Sequence, residues 1–553
     1  MTEADSTHPS QRRRIPQADR GKETPHVRTS GDVSALLKAA LVAALALLSP
    51  FLIISPASAT PASADGHQTA SLGTGVLQND GPARAEIELP AVLNATEARR
   101  YRRILDLQEA ARWRDADQQI AQLGNAILLG HVLAHRYLHP RYRSQYHELA
   151  GWLDQYADHP DARRLHELAL KRKPAHAKAP AAPRGGNTAK TAGLRVPGAE
   201  PPADHWIPAL DAFRAKRYAA AAKQFETVAR LPKASPWVIS AGAFWAARAH
   251  LLAGQPGQVT RWLSTAAEHP YTFYGLLARE TLGVDNALVL RDPMLHAGDS
   301  QSLIAVPAGA RAVGLLRVGE MRRAEQELVG IDSADAAVAR AIVALANHGN
   351  MPALSLRLGN QPIGLDKAEH DAAIYPIPAW VPRDGFDVDR ALIYALIRRE
   401  SSFNPQARNP SGASGLMQLM PGTAKAVAGD HLPADRILEP ETNMALGQGY
   451  LRHLMADQTI GDSLILLVAA YNAGPGNAAK WRRQIAGDDP LLFIESLPAR
   501  ETRIFIETVL TDLWIYRMRL GQSTVSLAEL ASGRWPMYLA HDARDAQVAG
   551  VPR

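Results

Sequence analysis

The sequence contains no cysteine, and this absence excludes several kinds of chemistry. Without a thiol the chain can form no disulfide, no thiolate metal site, no cysteine nucleophile and no lipidated N-terminal cysteine. Aromatic residues are also scarce, at 6%, and β-branched runs are few, whereas alanine is abundant in every long segment. Because alanine is the best helix former, this composition predicts a mainly α fold.

A large excess of charge of one sign is also lacking. The chain has 61 Lys and Arg residues against 55 Asp and Glu residues, which gives a net charge of +6 and a pI near 9.4. This mild surplus lacks the dense basic stripe of a dedicated nucleic-acid binder, so nucleic acid is not an expected partner. With 553 residues, 46% of them hydrophobic, the chain should form several domains around sizeable cores.

Near the N-terminus, the sequence has a hydrophobic run that is too short and too broken for an ordinary membrane span. The run covers residues 39–54, follows several arginines and is interrupted by Ser49 and Pro50. The small residues of Ala57-Ser58-Ala59 then supply a cleavage signature. Since a span must cross about 30 Å of hydrocarbon, we predict a cleaved signal peptide over residues 1–59 and a periplasmic protein that is not a lipoprotein. An uncleaved anchor and a buried core helix are the alternatives.

The remaining chain divides into regions by composition and periodicity. The predicted regions are a linker (60–91), an N-terminal helical region (92–173), a Pro/Ala/Gly-rich linker (174–203), a helical-hairpin solenoid (204–370), a compact, mostly α domain (371–525) and a C-terminal tail (526–553). The solenoid is inferred from loosely repeated helix–turn–helix units, because such units bury their apolar faces only by stacking on their neighbours. Its aromatic residues at helical spacing are interpreted as core rather than as ligand platforms, and they are Trp237, Phe244, Trp245, Trp262, Phe273 and Tyr274.

One glutamate stands out at the end of an apolar helix. The segment DVDRALIYALIRRE is predicted to form a helix that begins at Asp387 and ends at Glu400. Three apolar side chains precede Glu400 on the same helical face, namely Ile393, Leu396 and Ile397. Lost hydration favours the neutral carboxyl and raises its pKa, which makes Glu400 a candidate general acid. The alternative is a glutamate turned to solvent or paired with Arg398 or Arg399.

Five motifs in and after this helix point to one family. They are E-S at 400–401, G-L-M-Q at 415–418, M-P-x-T-A at 420–424, A-Y-N-A-G at 470–474 and E-S-x-P-x-x-E-T-R at 495–503. In this order and with these separations, the motifs resemble the catalytic domain of the soluble lytic murein transglycosylases over about residues 375–522. The solenoid, with the segment HPYTFYGLLARETLG at 269–283, is also similar to the helical superhelix that these enzymes place before the catalytic domain.

This resemblance implies a fold, an activity and a set of site residues. It implies an α-helical solenoid followed by a lysozyme-like, mostly α catalytic domain, which cleaves the β-1,4 bond between N-acetylmuramic acid and N-acetylglucosamine in peptidoglycan and closes a 1,6-anhydro ring. It maps the single catalytic residue onto Glu400. It maps substrate-binding residues onto Gln418, Met420, Tyr471 and Glu501, with Ser401 and Asn472 bracing the surroundings of the glutamate. No cofactor or metal is implied. Peptidoglycan glycan strands are the expected partner, and unidentified proteins of cell-wall synthesis or division are further candidates.

A single catalytic acid is consistent with this chemistry. A glycoside hydrolase uses two carboxyl groups at a defined separation, and no second Asp or Glu lies in a motif adjacent to Glu400. Attack by the 6-hydroxyl of the sugar itself removes the need for a positioned water, so Glu400 would protonate the leaving oxygen and then accept the hydroxyl proton. A lysozyme-type muramidase that uses water and a non-catalytic glycan-binding scaffold are the competing functions.

Three histidines form a second pattern, which we interpret as structural. His131, His135 and His139 recur at four-residue steps on one helical face, a spacing that could hold a metal ion. Position 132 is valine, so the HExxH pattern of zinc proteases is absent. The prediction is therefore a set of solvated or core histidines.

Overall fold

The computed structural model describes residues 89–184, 200–285, 288–332, 334–429 and 436–542. Within these ranges the chain consists of α-helices joined by turns and short 3-10 segments, and only isolated β-bridges stand in for strands. The mainly α fold class is thereby confirmed. None of the helices in these ranges has the length and apolar character needed to cross a bilayer. The signal peptide predicted at 1–59 and nearly all of the linker at 60–91 lie outside the described residues.

The first described region contains five helices. They are α1 (Ala95–Glu109), α2 (Trp113–Ile120), α3 (Leu129–Leu138), α4 (Tyr146–Gln155) and α5 (Ala162–Arg172). The side chain of Asn94 caps α1 by accepting a hydrogen bond from the Glu97 amide at 2.8 Å. Helices α3, α4 and α5 enclose a small core that includes Leu149 and Trp152.

Eleven helices are described in the part of the chain predicted to be a solenoid. They are α6 (Ala203–Arg214), α7 (Tyr218–Ala229), α8 (Pro236–Leu252), α9 (Val259–Ala267), α10 (Phe273–Leu282), α11 (Ala297–Ala305), α12 (Pro307–Val318), α13 (Met321–Val329), α14 (Ala336–His348), α15 (Pro352–Gly359) and α16 (Lys367–Ile374). From α6 to α10 each helix packs on the next, and from α11 to α16 the contacts again join near neighbours in the sequence. Helix α1 packs on α12, which joins the first region to the second half of this stack. Such neighbour-to-neighbour packing is typical of a helical solenoid.

Small and aromatic side chains together make this packing close. Gly242 lies where α8 meets α7, and a Cβ atom there would stand 2.6 Å from the Ala229 backbone nitrogen, so a larger residue would force the helices apart. Five of the six aromatics predicted to be core are buried, and the sixth, Trp237, is partly buried against the same core. The prediction that they form the core rather than ligand platforms is confirmed.

The last region contains the candidate site. Its helices are α17 (Arg390–Ser401), α18 (Pro421–Ala428), α19 (Pro440–Met455), α20 (Leu464–Ala473), α21 (Pro475–Gln484), α22 (Pro490–Glu495), α23 (Arg500–Arg519) and α24 (Val525–Ala531). The long helix α23 packs on both α17 and α20. It also contacts α10 of the solenoid, where the rings of Phe273 and Trp514 stack with centroids 5.5 Å apart. Helices α6 to α10 of the solenoid and the last region therefore share one continuous core, whereas most buried residues of α11 to α16 pack in a second core with the first region.

The chain that follows α24 folds back onto the start of α17. The Asp542 carboxylate accepts a hydrogen bond from the Arg390 amide at 2.7 Å and pairs with the Arg390 guanidinium at 3.0 Å. The Tyr538 hydroxyl accepts a hydrogen bond from the Asp389 amide at 3.0 Å. Part of the segment predicted as a tail, up to Asp542, thus fixes the beginning of the helix that carries Glu400.

Candidate active site

The helix that carries Glu400 begins later than predicted. Helix α17 starts at Arg390 rather than at Asp387, which instead pairs with Arg452 at 2.9 Å. Asp389 precedes the first helical residue, yet its side chain does not cap the helix. The Asp389 carboxylate is buried and accepts a hydrogen bond from Arg517 at 3.3 Å, and burial raises its pKa to about 6. The Asp389 side chain therefore binds the distant Arg517 instead of capping α17.

The other end of α17 is an unusual turn. Ser402 and Phe403 have φ angles of 51° and 64°, in the left-handed region that residues other than glycine rarely adopt. Burial of the Phe403 ring stabilises this strained turn. The Ser401 hydroxyl is also buried and donates a hydrogen bond to the Ile397 carbonyl at 3.1 Å, within its own helix. Ser401 thus supports the helix end rather than presenting its hydroxyl to a ligand.

Glu400 is half-buried at the end of the apolar face of α17. The three residues that precede it on the same face are fully buried. Burial raises the pKa of Glu400 to about 8; the Arg399 guanidinium acts to lower it and the Glu501 carboxylate acts to raise it. Among the described residues, none donates a hydrogen bond that contributes to this shift. The expected rise in pKa is confirmed, and the carboxyl is mostly protonated at neutral pH.

The two arginines that precede Glu400 do not form an ion pair with it. Arg398 donates to both carboxylate oxygens of Asp512 on α23, each at 3.0 Å, and to the Ile374 carbonyl at 3.0 Å. Burial lowers the pKa of Arg399, whose Nε and Nη1 atoms find no hydrogen-bond partner in the described part of the chain. The alternative in which Glu400 pairs with Arg398 is therefore wrong, because the Arg398 guanidinium is bound to the buried Asp512 carboxylate.

Gln418 and Met420 lie on the turn-rich segment between α17 and α18. Gln418 has a φ of 45°, and its side-chain amide donates to the carbonyls of Ala407 and Gly415 at 3.1 and 2.9 Å. Met420 precedes the first residue of α18, and 44% of its surface is exposed. Small antiparallel bridges at Ser414 hold this segment together. The backbone orients Gln418, whereas Met420 projects an apolar side chain into solvent.

Tyr471, Asn472 and Glu501 come from the facing helices α20 and α23. The Tyr471 hydroxyl donates to the Met417 carbonyl at 2.8 Å, and burial together with the nearby Glu400 charge raises the pKa of Tyr471 well above its ordinary value. The Asn472 side-chain oxygen accepts a hydrogen bond from Thr502 at 2.7 Å, beside the exposed Glu501 in the first turn of α23. Tyr471 and Glu501 each interact electrostatically with Glu400, so the structure brings these three residues together.

The two glutamates of the motif at 495–503 have different positions. Glu495 is buried, and its carboxylate accepts hydrogen bonds from Trp206 at 3.0 Å and from Tyr274 at 2.5 Å, both on the solenoid. Glu501 is exposed and close enough to Glu400 to raise its pKa. One acid of the motif therefore joins the last region to the solenoid, and the other borders the site.

Sequence reasoning missed two residues of helix α19. The Tyr450 ring lies 5.7 Å from the Tyr471 ring, centroid to centroid. The buried Asn443 side chain bonds to the segment that carries Gln418. A signal was present, because Asn443, Gly447 and Tyr450 follow one another at four- and three-residue steps and so share one face of the helix.

The histidines separate into different environments. His135 pairs with Glu109 at 3.1 Å, while His131 lies with His159 and Glu327 in a buried cluster whose potential ligand atoms are all within 4.8 Å. His159 accepts from the Asp161 amide through Nδ1, which leaves its Nε2–H to donate to His131 Nδ1 at 2.9 Å. The His131 Nε2–H then donates to Glu327 at 2.7 Å.

This cluster is consistent with a structural role. Burial lowers the pKa of His131 to about 3 and that of His159 to about 2, so both rings are neutral. Arg311 bonds to both oxygens of Glu327, at 2.7 and 2.9 Å. Every ring nitrogen of the two histidines is already used in a hydrogen bond, and a guanidinium neutralises the carboxylate. We interpret the cluster as a hydrogen-bonded connection between the first region and the solenoid.

The region that contains the candidate site is similar to known proteins. Residues 382–491 match the family model of the transglycosylase SLT domain. The soluble lytic murein transglycosylase of Salmonella typhimurium is 39% identical over 151 residues, which are 26% of this chain and 23% of that protein. The Escherichia coli K12 protein of the same name is 38% identical over 157 residues, or 27% and 24% of the two chains. The resemblance of the motifs is confirmed, over about a quarter of the length of these curated relatives.

Two solved structures are similar to this chain over more of its length. The lytic transglycosylase Slt of Pseudomonas aeruginosa, crystallised as an inactive mutant, covers 81% of this chain and 76% of its own at 21% identity, with a TM-score of 0.49. The 70 kDa soluble lytic transglycosylase of Escherichia coli covers 80% of this chain and 99% of its own at 18% identity, with a TM-score of 0.48.

Proposed function

We propose that this chain is a peptidoglycan lytic transglycosylase, which cleaves the β-1,4 bond between N-acetylmuramic acid and N-acetylglucosamine. The observation that carries this proposal is the position of Glu400, half-buried at the end of an apolar helix and close to Tyr471 and Glu501, where desolvation raises its pKa to about 8. The match of residues 382–491 to the transglycosylase SLT domain supports the choice of substrate. Incubation of the protein with purified peptidoglycan tests the proposal: soluble muropeptides are expected, and an intact polymer would refute it.

In the first step Glu400 acts as a general acid. Its proton passes to the glycosidic oxygen while the bond from that oxygen to C1 of the muramic acid breaks, so the N-acetylglucosamine leaves as an alcohol. Positive charge develops at C1 as the bond breaks. The newly formed Glu400 carboxylate and the nearby Glu501 carboxylate would stabilise this positive charge.

In the second step Glu400 acts as a general base. The 6-hydroxyl oxygen of the same muramic acid bonds to C1, and its proton returns to Glu400, which closes the 1,6-anhydro ring and regenerates the acid. No water is consumed and no cofactor is needed for this balance. Within the described residues no carboxylate is hydrogen-bonded to Glu400, which is consistent with such a mechanism, since one group performs both proton transfers.

The neighbouring side chains would bind and orient the glycan. Met420 offers an exposed apolar surface to a sugar face, and the side chain of Gln418 is oriented by its bonds to backbone carbonyls. Tyr471 interacts electrostatically with Glu400, and its hydroxyl is held by the Met417 carbonyl. Glu501 can accept hydrogen bonds from sugar hydroxyls. Ser401 and Asn472 support these groups through their bonds to Ile397 and Thr502.

A lysozyme-type muramidase is the competing function, and one observation favours it. Glu501 raises the pKa of Glu400, so a second carboxylate lies close enough to interact with the first, and a hydrolase needs two. The two functions differ in the product, because a water nucleophile leaves a reducing muramic acid end.

The alkaline limb of the pH profile should report the pKa of Glu400. We expect kcat/KM for peptidoglycan to fall above a pH of about 8, because the acid step needs the protonated carboxyl. Replacing Glu501 with Gln removes a negative charge that raises the pKa of Glu400. The pH at which kcat/KM begins to fall should therefore be lower for the Glu501→Gln variant than for the wild type. Release of soluble glycan by both proteins, measured at constant ionic strength, checks the expectation. If kcat/KM falls at the same pH in both proteins, the electrostatic interaction between Glu501 and Glu400 is contradicted.

The domain organisation and location of the protein are also proposals. We propose a signal peptide over 1–59 that is cleaved on export, so that the enzyme acts in the periplasm without a lipid anchor. The functional units would be the helical region 92–173, the solenoid 204–370 and the catalytic domain 371–525. Cell-wall synthesis or division proteins remain candidate partners beside the glycan strands.

A further inference from the structure

Asn443, on helix α19, is a fully buried amide whose side chain makes three hydrogen bonds. Its Oδ1 accepts a hydrogen bond from the Met417 amide at 2.8 Å. Its Nδ2 donates to the Ser414 carbonyl at 3.1 Å and to the Ile437 carbonyl at 2.8 Å. Two of these bonds hold the segment that leads to Gln418, so one side chain fixes two points of that turn.

Two glycines allow this side chain and this segment to meet. Gly415 has a φ of 82°, and a Cβ atom there would stand 2.1 Å from Nδ2 of Asn443. Gly447, one turn after Asn443 on α19, lies against Met417, where a Cβ atom would stand 2.0 Å from the sulfur. Asn443 and Gly447 therefore form a seat on α19 that receives Met417.

Met417 in turn connects this seat to the site. Its amide donates to Asn443, while its carbonyl accepts the hydrogen bond of the Tyr471 hydroxyl at 2.8 Å. The next residue is Gln418, whose positive φ depends on the path of the same backbone. A displacement of Met417 would consequently move both Gln418 and the partner of Tyr471.

We infer that Asn443 is a positioning residue for glycan binding, which sets Gln418 and Tyr471 through the backbone of Met417 without touching the sugar. The inference rests on the proposed function, since Gln418 and Tyr471 bind the glycan in that proposal. Side chains that are already ordered bind a ligand without the entropic cost of being ordered. Loss of the hydrogen bonds from Asn443 should therefore weaken binding of the glycan.

The Asn443→Asp variant tests this inference with little change in size. Aspartate retains an oxygen acceptor for the Met417 amide but loses the Nδ2 donor. The Ile437 carbonyl then loses the bond from Asn443, and the Ser414 carbonyl keeps only its hydrogen bond from the Leu419 amide at 3.1 Å, both beside a buried carboxyl group. A matched control exists on the same helix. Gln448 is equally buried, donates to the Gly385 carbonyl at 3.0 Å and accepts from the Asp387 amide at 3.1 Å, away from the Met417 segment. Gln448→Glu therefore removes a comparable buried donor.

Binding is best measured without cleavage, with Glu400→Gln as the background. We expect Asn443→Asp to weaken the affinity for a tetrasaccharide of alternating N-acetylglucosamine and N-acetylmuramic acid about tenfold, a change on the order of one lost buried hydrogen bond. The Gln448→Glu control should leave the affinity unchanged at a similar loss of thermal stability. Should Asn443→Asp fail to fold, the Gly447→Ala variant is used instead, because its added methyl group would displace Met417. It should also weaken binding of the tetrasaccharide.

Two outcomes overturn the inference, and only the second also overturns the proposed function. If the wild-type protein cleaves peptidoglycan but Asn443→Asp, or Gly447→Ala in its place, binds the tetrasaccharide as tightly as the control, the positioning role is wrong and the proposed function stands. If the wild-type protein releases no muropeptides at all, the proposed function fails and takes the inference with it.

Discussion

Replacing Glu400 with Gln is expected to lower the rate of peptidoglycan cleavage by about 10²–10⁴-fold or more. The amide has the shape of the acid but can neither donate a carboxyl proton nor accept one from the 6-hydroxyl. Because one group serves both proton transfers in our proposal, neither step can be rescued by the remaining residues. Initial rates of muropeptide release by the two proteins measure the effect.

The variant should remain folded, and this separates chemistry from stability. The Glu400 carboxyl receives no hydrogen bond that contributes to its pKa within the described ranges, so its replacement leaves no buried partner unsatisfied. Circular dichroism and the thermal midpoint should match those of the wild type. Glu501→Gln is the matched control, with reduced activity but the same product. Appreciable cleavage by Glu400→Gln, or equal inactivity of Glu501→Gln, would sink the assignment of a single catalytic carboxyl.

Replacing Arg398 with Met is expected to lower the free energy of unfolding by about 3–5 kcal/mol. Arg398 lies two residues before Glu400 and is buried, with its guanidinium 4.2 Å from the centre of the Tyr375 ring. Without it, the buried Asp512 carboxylate would lose both of its bonds to the guanidinium, and the Ile374 carbonyl would lose a donor. An uncompensated buried charge is the costly part of this change.

A second substitution distinguishes the lost pair from lost packing. Arg398→Met combined with Asp512→Leu removes both charges, and we expect it to recover much of the stability lost in the single variant. Urea unfolding of the wild type, the two single variants and the double variant gives the coupling energy. If the double variant loses the sum of the two single effects, the ion pair contributes no coupling, and its role in anchoring the catalytic helix is contradicted.

The features that sequence reasoning captured depend on neighbours along the chain. The position of Glu400 on an apolar face follows from helical spacing, and its raised pKa follows from that position. The aromatic core of the solenoid was predictable for the same reason. The start of α17 was not, because the Asp389 side chain is held by Arg517, 128 residues away, rather than by the helix that it precedes.

Partners that are distant in the sequence also explain the other differences. The spacing of His131 and His135 placed them on one helix, but the bonds of His131 go to His159 and Glu327, the latter 196 residues away. Glu495 belongs to the same motif as Glu501, yet tryptophan and tyrosine side chains of the solenoid hold it outside the site. Local patterns identify the residue types, and long-range packing decides which of them meet.

The mass of the product tests the central claim most directly, namely that Glu400 works with the 6-hydroxyl of the sugar rather than with water. Purified peptidoglycan would be digested with the wild-type protein, and the soluble fragments analysed by mass spectrometry. We predict fragments that end in 1,6-anhydro-N-acetylmuramic acid, each lighter by one water than the hydrolysed fragment and without a reducing end. Fragments that end mainly in reducing N-acetylmuramic acid would contradict the account and would assign the second carboxyl role of a muramidase to Glu501.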